Sequence, residues 1–81
     1  MNRVTLYSKP NCHLCDVAKA VIARVAQVHA LELEVRNIEA DPADFERYQY
    51  DIPVIAVNGR EIARHRLSEA MLIAALQESH G

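Results

Sequence analysis

The hydrophobic period of this chain changes abruptly near its start, and that switch constrains the fold more than any other feature. Arg3-Val4-Thr5-Leu6-Tyr7 is a short run of β-branched and aromatic residues, stopped by Ser8-Lys9-Pro10-Asn11. A run of that kind closed by turn residues reads as a strand followed by a loop. From Cys12 to about His29, the apolar residues Val17, Ala18, Val21, Ile22, Val25 and Val28 recur three and four apart, one face of an amphipathic helix. Asn11 or Cys12 falls at its N-cap. Leu31, Leu33 and Val35 then alternate with Glu32, Glu34 and Arg36, which predicts a half-buried strand running to about Ile38. Strand, helix and strand in that order favour a parallel pair joined by a right-handed crossover.

The remainder adds three elements. Asp41-Pro42-Ala43-Asp44 carries the cap, first-turn proline and acidic first turn of a short helix ending near Tyr48. Val54-Ile55-Ala56-Val57, Asn58-Gly59 and Arg60-Glu61-Ile62 predict a two-residue hairpin, since Asn-Gly supplies the positive φ angles of a type I′ turn. Ser68-Glu69 opens a last helix whose packing face is Met71, Leu72, Ala75 and Leu76. The expected order is β-α-β-α-β-β-α: an α/β fold with a four-stranded mixed sheet and helices on both faces. Tyr7, Phe45, Tyr48 and Tyr50 are expected in core or partly buried packing.

Length and charge narrow the function classes. The chain has 81 residues, 51% hydrophobic and 25% charged, which is ordinary globular usage and predicts a single domain over residues 1–81. A net charge of −2 gives no basic footprint for nucleic acid and no polybasic membrane anchor. The longest apolar run, Ala70 to Leu76, is too short to cross a bilayer. Met1 to Leu6 lacks the apolar core of a secretory leader, so a cytoplasmic location is expected. In that compartment a cysteine pair is more often catalytic or metal-binding than a permanent disulfide.

Cys12-His13-Leu14-Cys15 begins the first predicted helix. A bond between cysteines three positions apart closes a tiny loop and removes little entropy from the unfolded chain, so it is a poor structural staple. On a helix, however, residues three apart share a face, which brings the sulfurs into bonding reach. Cys12 at the helix N-terminus meets unpaired amide N–H groups and the positive end of the macrodipole, both of which favour a thiolate. Cys15, one turn inside, suits the resolving role. A CxxC opening a helix after a strand is a redox signal; the same spacing is also half of a zinc site. Zinc needs two further ligands, and His29, His65 and His80 show no close paired spacing.

The stretch Leu6-Tyr7-Ser8-Lys9-Pro10-Asn11-Cys12-His13-Leu14-Cys15-Asp16 resembles the active-site segment of the glutaredoxins, within the thioredoxin superfamily. It is most similar to the small bacterial glutaredoxin-like proteins whose motif reads C-H-L-C-D. The resemblance spans nearly the whole chain, because the element order and Ile52-Pro53 also fit. It implies a thioredoxin-like fold and a cis peptide at Ile52–Pro53 that faces the cysteine pair. In that arrangement the backbone of Ile52 offers its N–H and C=O to an extended substrate, a cysteine-containing peptide or glutathione, beside Cys12. The resemblance further places Lys9 near a glutathione carboxylate.

Two departures stand beside it. Glutathione-using glutaredoxins carry a Gly-Gly pair and an acidic residue after the hairpin, where this chain reads Ile62-Ala63-Arg64-His65-Arg66-Leu67-Ser68. Glycines let a ligand approach the backbone and a carboxylate pairs with an ammonium group; bulky cations do neither. Arg64 and Arg66 are either solvated surface residues or contacts for an anionic partner. Thioredoxins have a tryptophan before the first cysteine, where this chain has Asn11, a cap or turn residue. His13 stabilises a Cys12 thiolate if protonated and does little if neutral. Asp16 favours the helix N-terminus yet, as a nearby negative charge, opposes a thiolate, so its net effect has no sign from sequence.

The expected function is thiol–disulfide exchange, with Cys12 as nucleophile, Cys15 as resolving thiol, and Lys9, His13, Ile52 and Pro53 contacting substrate. No bound cofactor or metal is required, and glutathione is a candidate reducing co-substrate. Expected partners are disulfide-containing proteins or small thiols, with no nucleic acid or membrane, and the chain is expected as a monomer. Two other classes compete: a non-catalytic protein-binding module around Pro53 and Arg64–Arg66, and a metal or iron–sulfur site shared between chains.

Overall fold

A computed structural model describes residues 1–78 of the chain. His80, weighed above as a metal ligand, lies outside the described residues. Strand β1 (Asn2–Ser8) leads into helix α1 (His13–Ala26), strand β2 (Leu31–Asn37), a 3₁₀ turn (Ile38–Ala40) and helix α2 (Pro42–Tyr48). Strands β3 (Val54–Val57) and β4 (Arg60–Arg64) and helix α3 (Glu69–Glu78) follow. The strands form one mixed sheet in the order β2-β1-β3-β4. β1 runs parallel to β2 and antiparallel to β3, and β3 pairs antiparallel with β4. This is the α/β architecture with a four-stranded mixed sheet expected from the element order, and it fits the thioredoxin-like fold that the resemblance implies.

The strand alternation sorts side chains onto the two faces. Val4 and Leu6 of β1 lie opposite Val57 and Ile55 of β3, and all four are essentially inaccessible. Against them pack Ala18, Val21, Ile22 and Val25 of α1 with Leu72, Ala75 and Leu76 of α3. On the other face Val54 joins Ile38 and Tyr48, with Tyr7 and Ile52 packed alongside, so α2 and the 3₁₀ turn cover that side. Asp41 caps α2 by accepting hydrogen bonds from the N–H groups of Ala43 and Asp44, and Pro42 opens its first turn. Asn58 and Gly59 take φ angles of 51° and 86°, the left-handed pair a type I′ turn requires.

Several expected packing positions prove exposed. Leu33 and Val35 stand beside Val4 and Leu6 in register, on the core face, yet are 39% and 45% exposed. β2 is an edge strand, and the core beneath α1 and α3 takes in Val4, Leu6, Ile55 and Val57 of β1 and β3 but not Leu33 or Val35. Met71 is exposed, whereas Ile73 packs against the core. Helix α1 ends at Ala26, so Val28 falls in the following turn and is exposed, as is Val17 at the border of the apolar stripe. Phe45 and Tyr50 are exposed as well, whereas Tyr48 is buried and Tyr7 packs against it. Among the described residues, no helix is long and apolar enough to cross a membrane.

Candidate active site

The site is built where β1 hands over to α1. Asn11 turns the chain with a φ of 61°, a conformation asparagine tolerates better than most residues. Cys12 is the helix N-cap, with extended backbone angles, and its sulfur accepts a hydrogen bond from the Cys15 backbone N–H at 3.2 Å. Its carbonyl accepts the first helical bond, from the Asp16 N–H at 3.1 Å. Cys12 and Cys15 are joined in a disulfide, with Cα atoms 5.2 Å apart. Cys12 is half-buried, while Cys15 is only 4% exposed. The two sulfurs therefore differ in access, and the outer one sits at the positive end of a helix of 14 residues. His13 is the first residue of that helix and is exposed, as is Lys9 in the preceding loop.

Register decides what else reaches this end of the sheet. Tyr7 pairs with Val54, Ser8 with Asn37, and Val54 with Arg64. The segment before Val54 and the segment after Arg64 thus lie at the same sheet end as the cysteine loop. Ile52 and Pro53 belong to the first of these; Pro53 is buried, Ile52 is half-buried, and the peptide between them is cis. The Pro53 carbonyl accepts a hydrogen bond from the His65 N–H at 2.8 Å, stitching the two segments together.

At His65 the chain adopts a φ of 68°, and the Arg66 N–H donates to the Arg64 carbonyl at 2.7 Å. A bond from residue i+2 back to i around a positive-φ centre is a γ-turn. Arg64, considered above as a contact for an anionic partner, is instead engaged within the chain. Its guanidinium donates to Asp51 at 2.9 Å and to both oxygens of Glu61. The hydrogen bond from Arg64 holds the Glu61 carboxyl below the usual carboxylate range. Arg66 is exposed. Neither the Asp51–Arg64 pair nor its tie to the segment before Pro53 was legible from spacing, because its partners are thirteen positions apart.

A cavity of about 240 Å³ opens beside Cys15, with Cys15, Asp16 and Lys19 from α1, Lys9 and Asn11 from the loop, and Asn37 from the end of β2 on its wall. Lys19, which reads from periodicity as a wet-face residue, borders it; the signal for this was its separation of four from Cys15. Among the described residues, no three or more His, Cys, Asp or Glu side chains are grouped so as to hold a metal ion.

Residues 3–77 match the family described as Glutaredoxin-like domain (DUF836). The chain belongs to this glutaredoxin-like family. A solved relative, protein XcR50 from X. campestris, is 31% identical over 95% of this chain and 99% of its own, with a TM-score of 0.73. Thioredoxin 1 from Thermosipho africanus superposes with a TM-score of 0.65 at 16% identity, covering 94% of this chain and 91% of its own. Glutaredoxin 1 from Francisella tularensis does so with 0.53 at 16% identity, covering 96% and 95%. These last two likenesses are of fold. The glutaredoxin-like domain thus combines a thioredoxin-like fold with a CxxC pair that forms a disulfide at the start of α1.

Proposed function

We propose that this glutaredoxin-like domain is a thiol–disulfide oxidoreductase. The observation that carries the reading is the placement of Cys12 as N-cap of α1, with Cys15 in bonding reach and behind it. In the reduced protein, the Cys12 thiolate attacks one sulfur of a substrate disulfide and expels the other half as a thiolate, which takes a proton from water. Cys15, as thiolate, then attacks the Cys12 sulfur, closes the intramolecular disulfide and releases the second half of the substrate. Two electrons pass from the pair to the substrate, and two equivalents of an external thiol, glutathione being the candidate, restore the dithiol. The Cys15 N–H and the helix dipole support the first step by favouring the charged form of Cys12.

Lys9, His13, Ile52 and Pro53 are the proposed substrate contacts. Lys9 lies three positions before Cys12 and His13 directly after it, and the β1–β3 register brings Ile52 and Pro53 to the same end. The substrates are disulfides of proteins or small thiols, acted on by a monomer in a reducing compartment such as the cytoplasm. No bound cofactor takes part in the exchange.

The test is the Cys15→Ser variant, which removes the resolving step. Incubated with oxidised glutathione or a disulfide-linked peptide, it should accumulate a mixed disulfide on Cys12, visible by intact mass, while the wild type ends as the intramolecular disulfide. If the variant captures no thiol and the wild-type pair does not cycle between dithiol and disulfide, the reading is wrong.

A further inference from the structure

Resting on that reading, we propose that Lys19 is a positioning residue for the second, intramolecular step, holding a fixed positive charge that favours the Cys15 thiolate. Cys15 must lose its proton to attack, and it does so from a poor position. It is only 4% exposed, and burial disfavours a charged sulfur. The amide groups at the helix start serve Cys12, whose sulfur already takes the Cys15 N–H. The cavity beside Cys15 is a second place from which a charge can act on it.

Lys19 and Cys15 share the wall of that cavity and lie four positions apart on α1, hence on one helix face. The chain has only two lysines, Lys9 and Lys19, and both border this space. Arg24, Arg36, Arg60 and Arg64 are each held in an ion pair, whereas among the described residues neither lysine is. The opposing charge on the wall is Asp16. His13 at the helix start is a further titratable side chain close by in sequence, one position from Cys12 and two from Cys15. In this role Lys19 acts as a charge and not as a base. The Cys15 proton passes to water.

The test isolates closure from substrate choice. Reduced protein is mixed in a stopped-flow with one equivalent of an aromatic disulfide whose thiolate absorbs. Attack by Cys12 releases the first chromophore, and Cys15 closure releases the second. Below the Cys15 pKa, Lys19→Gln should slow the second phase about two- to fivefold and shift its pH profile to the alkaline side. Lys19→Arg should restore both, and Asp16→Asn should speed the second phase. Raising the salt concentration should shrink the difference between wild type and Lys19→Gln. An unshifted profile in Lys19→Gln, or equal slowing in Gln and Arg variants, overturns the role of Lys19 while leaving the exchange mechanism standing. A wild type that releases neither chromophore overturns the oxidoreductase reading itself.

Discussion

The backbone N–H of Cys15 donates to the sulfur of Cys12 at 3.2 Å, so the proposed nucleophile is also the residue that caps helix α1. Reactivity and local folding depend on the same atom. A sulfur drawn toward an amide at a helix N-terminus gains as its charge grows, and the helix gains a partner for one of its unpaired donors.

A cap is measurable apart from chemistry. Under reducing conditions Cys12→Ser should keep the cap and Cys12→Ala should lose it, making the alanine variant less stable by about 1 kcal/mol in urea denaturation. Both should lose thiol exchange entirely. Equal stability of the two would mean that the side chain at position 12 contributes nothing to the start of α1.

Leu72 and Leu33 both sit on predicted apolar faces, but their truncation should differ. Leu72 is wholly inaccessible at the contact between α3 and the sheet. Leu72→Ala should cost about 3 kcal/mol, while Leu33→Ala, at a site 39% exposed, should cost less than about 1 kcal/mol. Urea midpoints of the reduced proteins give the comparison, and similar losses would show that β2 is covered in solution.

Gly59→Ala tests the hairpin. A methyl group at this position meets no atom within 4 Å, so the only obstacle is the φ of 86°. The expected loss is about 1 kcal/mol, the cost of a left-handed conformation for a residue with a Cβ. A thermal melt should drop by several degrees, and an unchanged melting temperature would show that the turn relaxes to another type.

Tyr7 gives a prediction on the alkaline side. Burial, helped by Tyr48 and Asp44, raises its pKa above the ordinary phenol value of 10.0, although Arg36 pulls the other way. Folded protein therefore holds this proton more tightly than unfolded chain does. The associated stability is complete below pH 10.0 and is lost as pH rises through the raised value. Tyr7→Phe should flatten this alkaline decline in urea midpoints measured across the range. A decline of the same steepness in the variant would assign it to other groups.

Much of the fold was readable because local rules act over a few residues. The period change at Cys12, the Asp41-Pro42 helix start and Asn58-Gly59 each specify backbone geometry without outside help, and each appears where spacing placed it. How far a helix face is covered was not readable. Leu33 and Met71 carry the right side chain at the right phase, but burial depends on what lies above them, and β2 forms the edge of the sheet.

The same division holds at the site. The amino-acid sequence alone determined that Cys12 and Cys15 share a helix start, because three residues of helix bring them together whatever the rest of the chain does. Only the tertiary structure decided their company. The β1–β3 register carries Ile52 and Pro53 to that end, Asp51 and Glu61 take up Arg64, and the cavity wall sets Lys19 beside Cys15. Those neighbours come from strand pairing and side-chain packing between distant segments, which depend on the whole chain having folded.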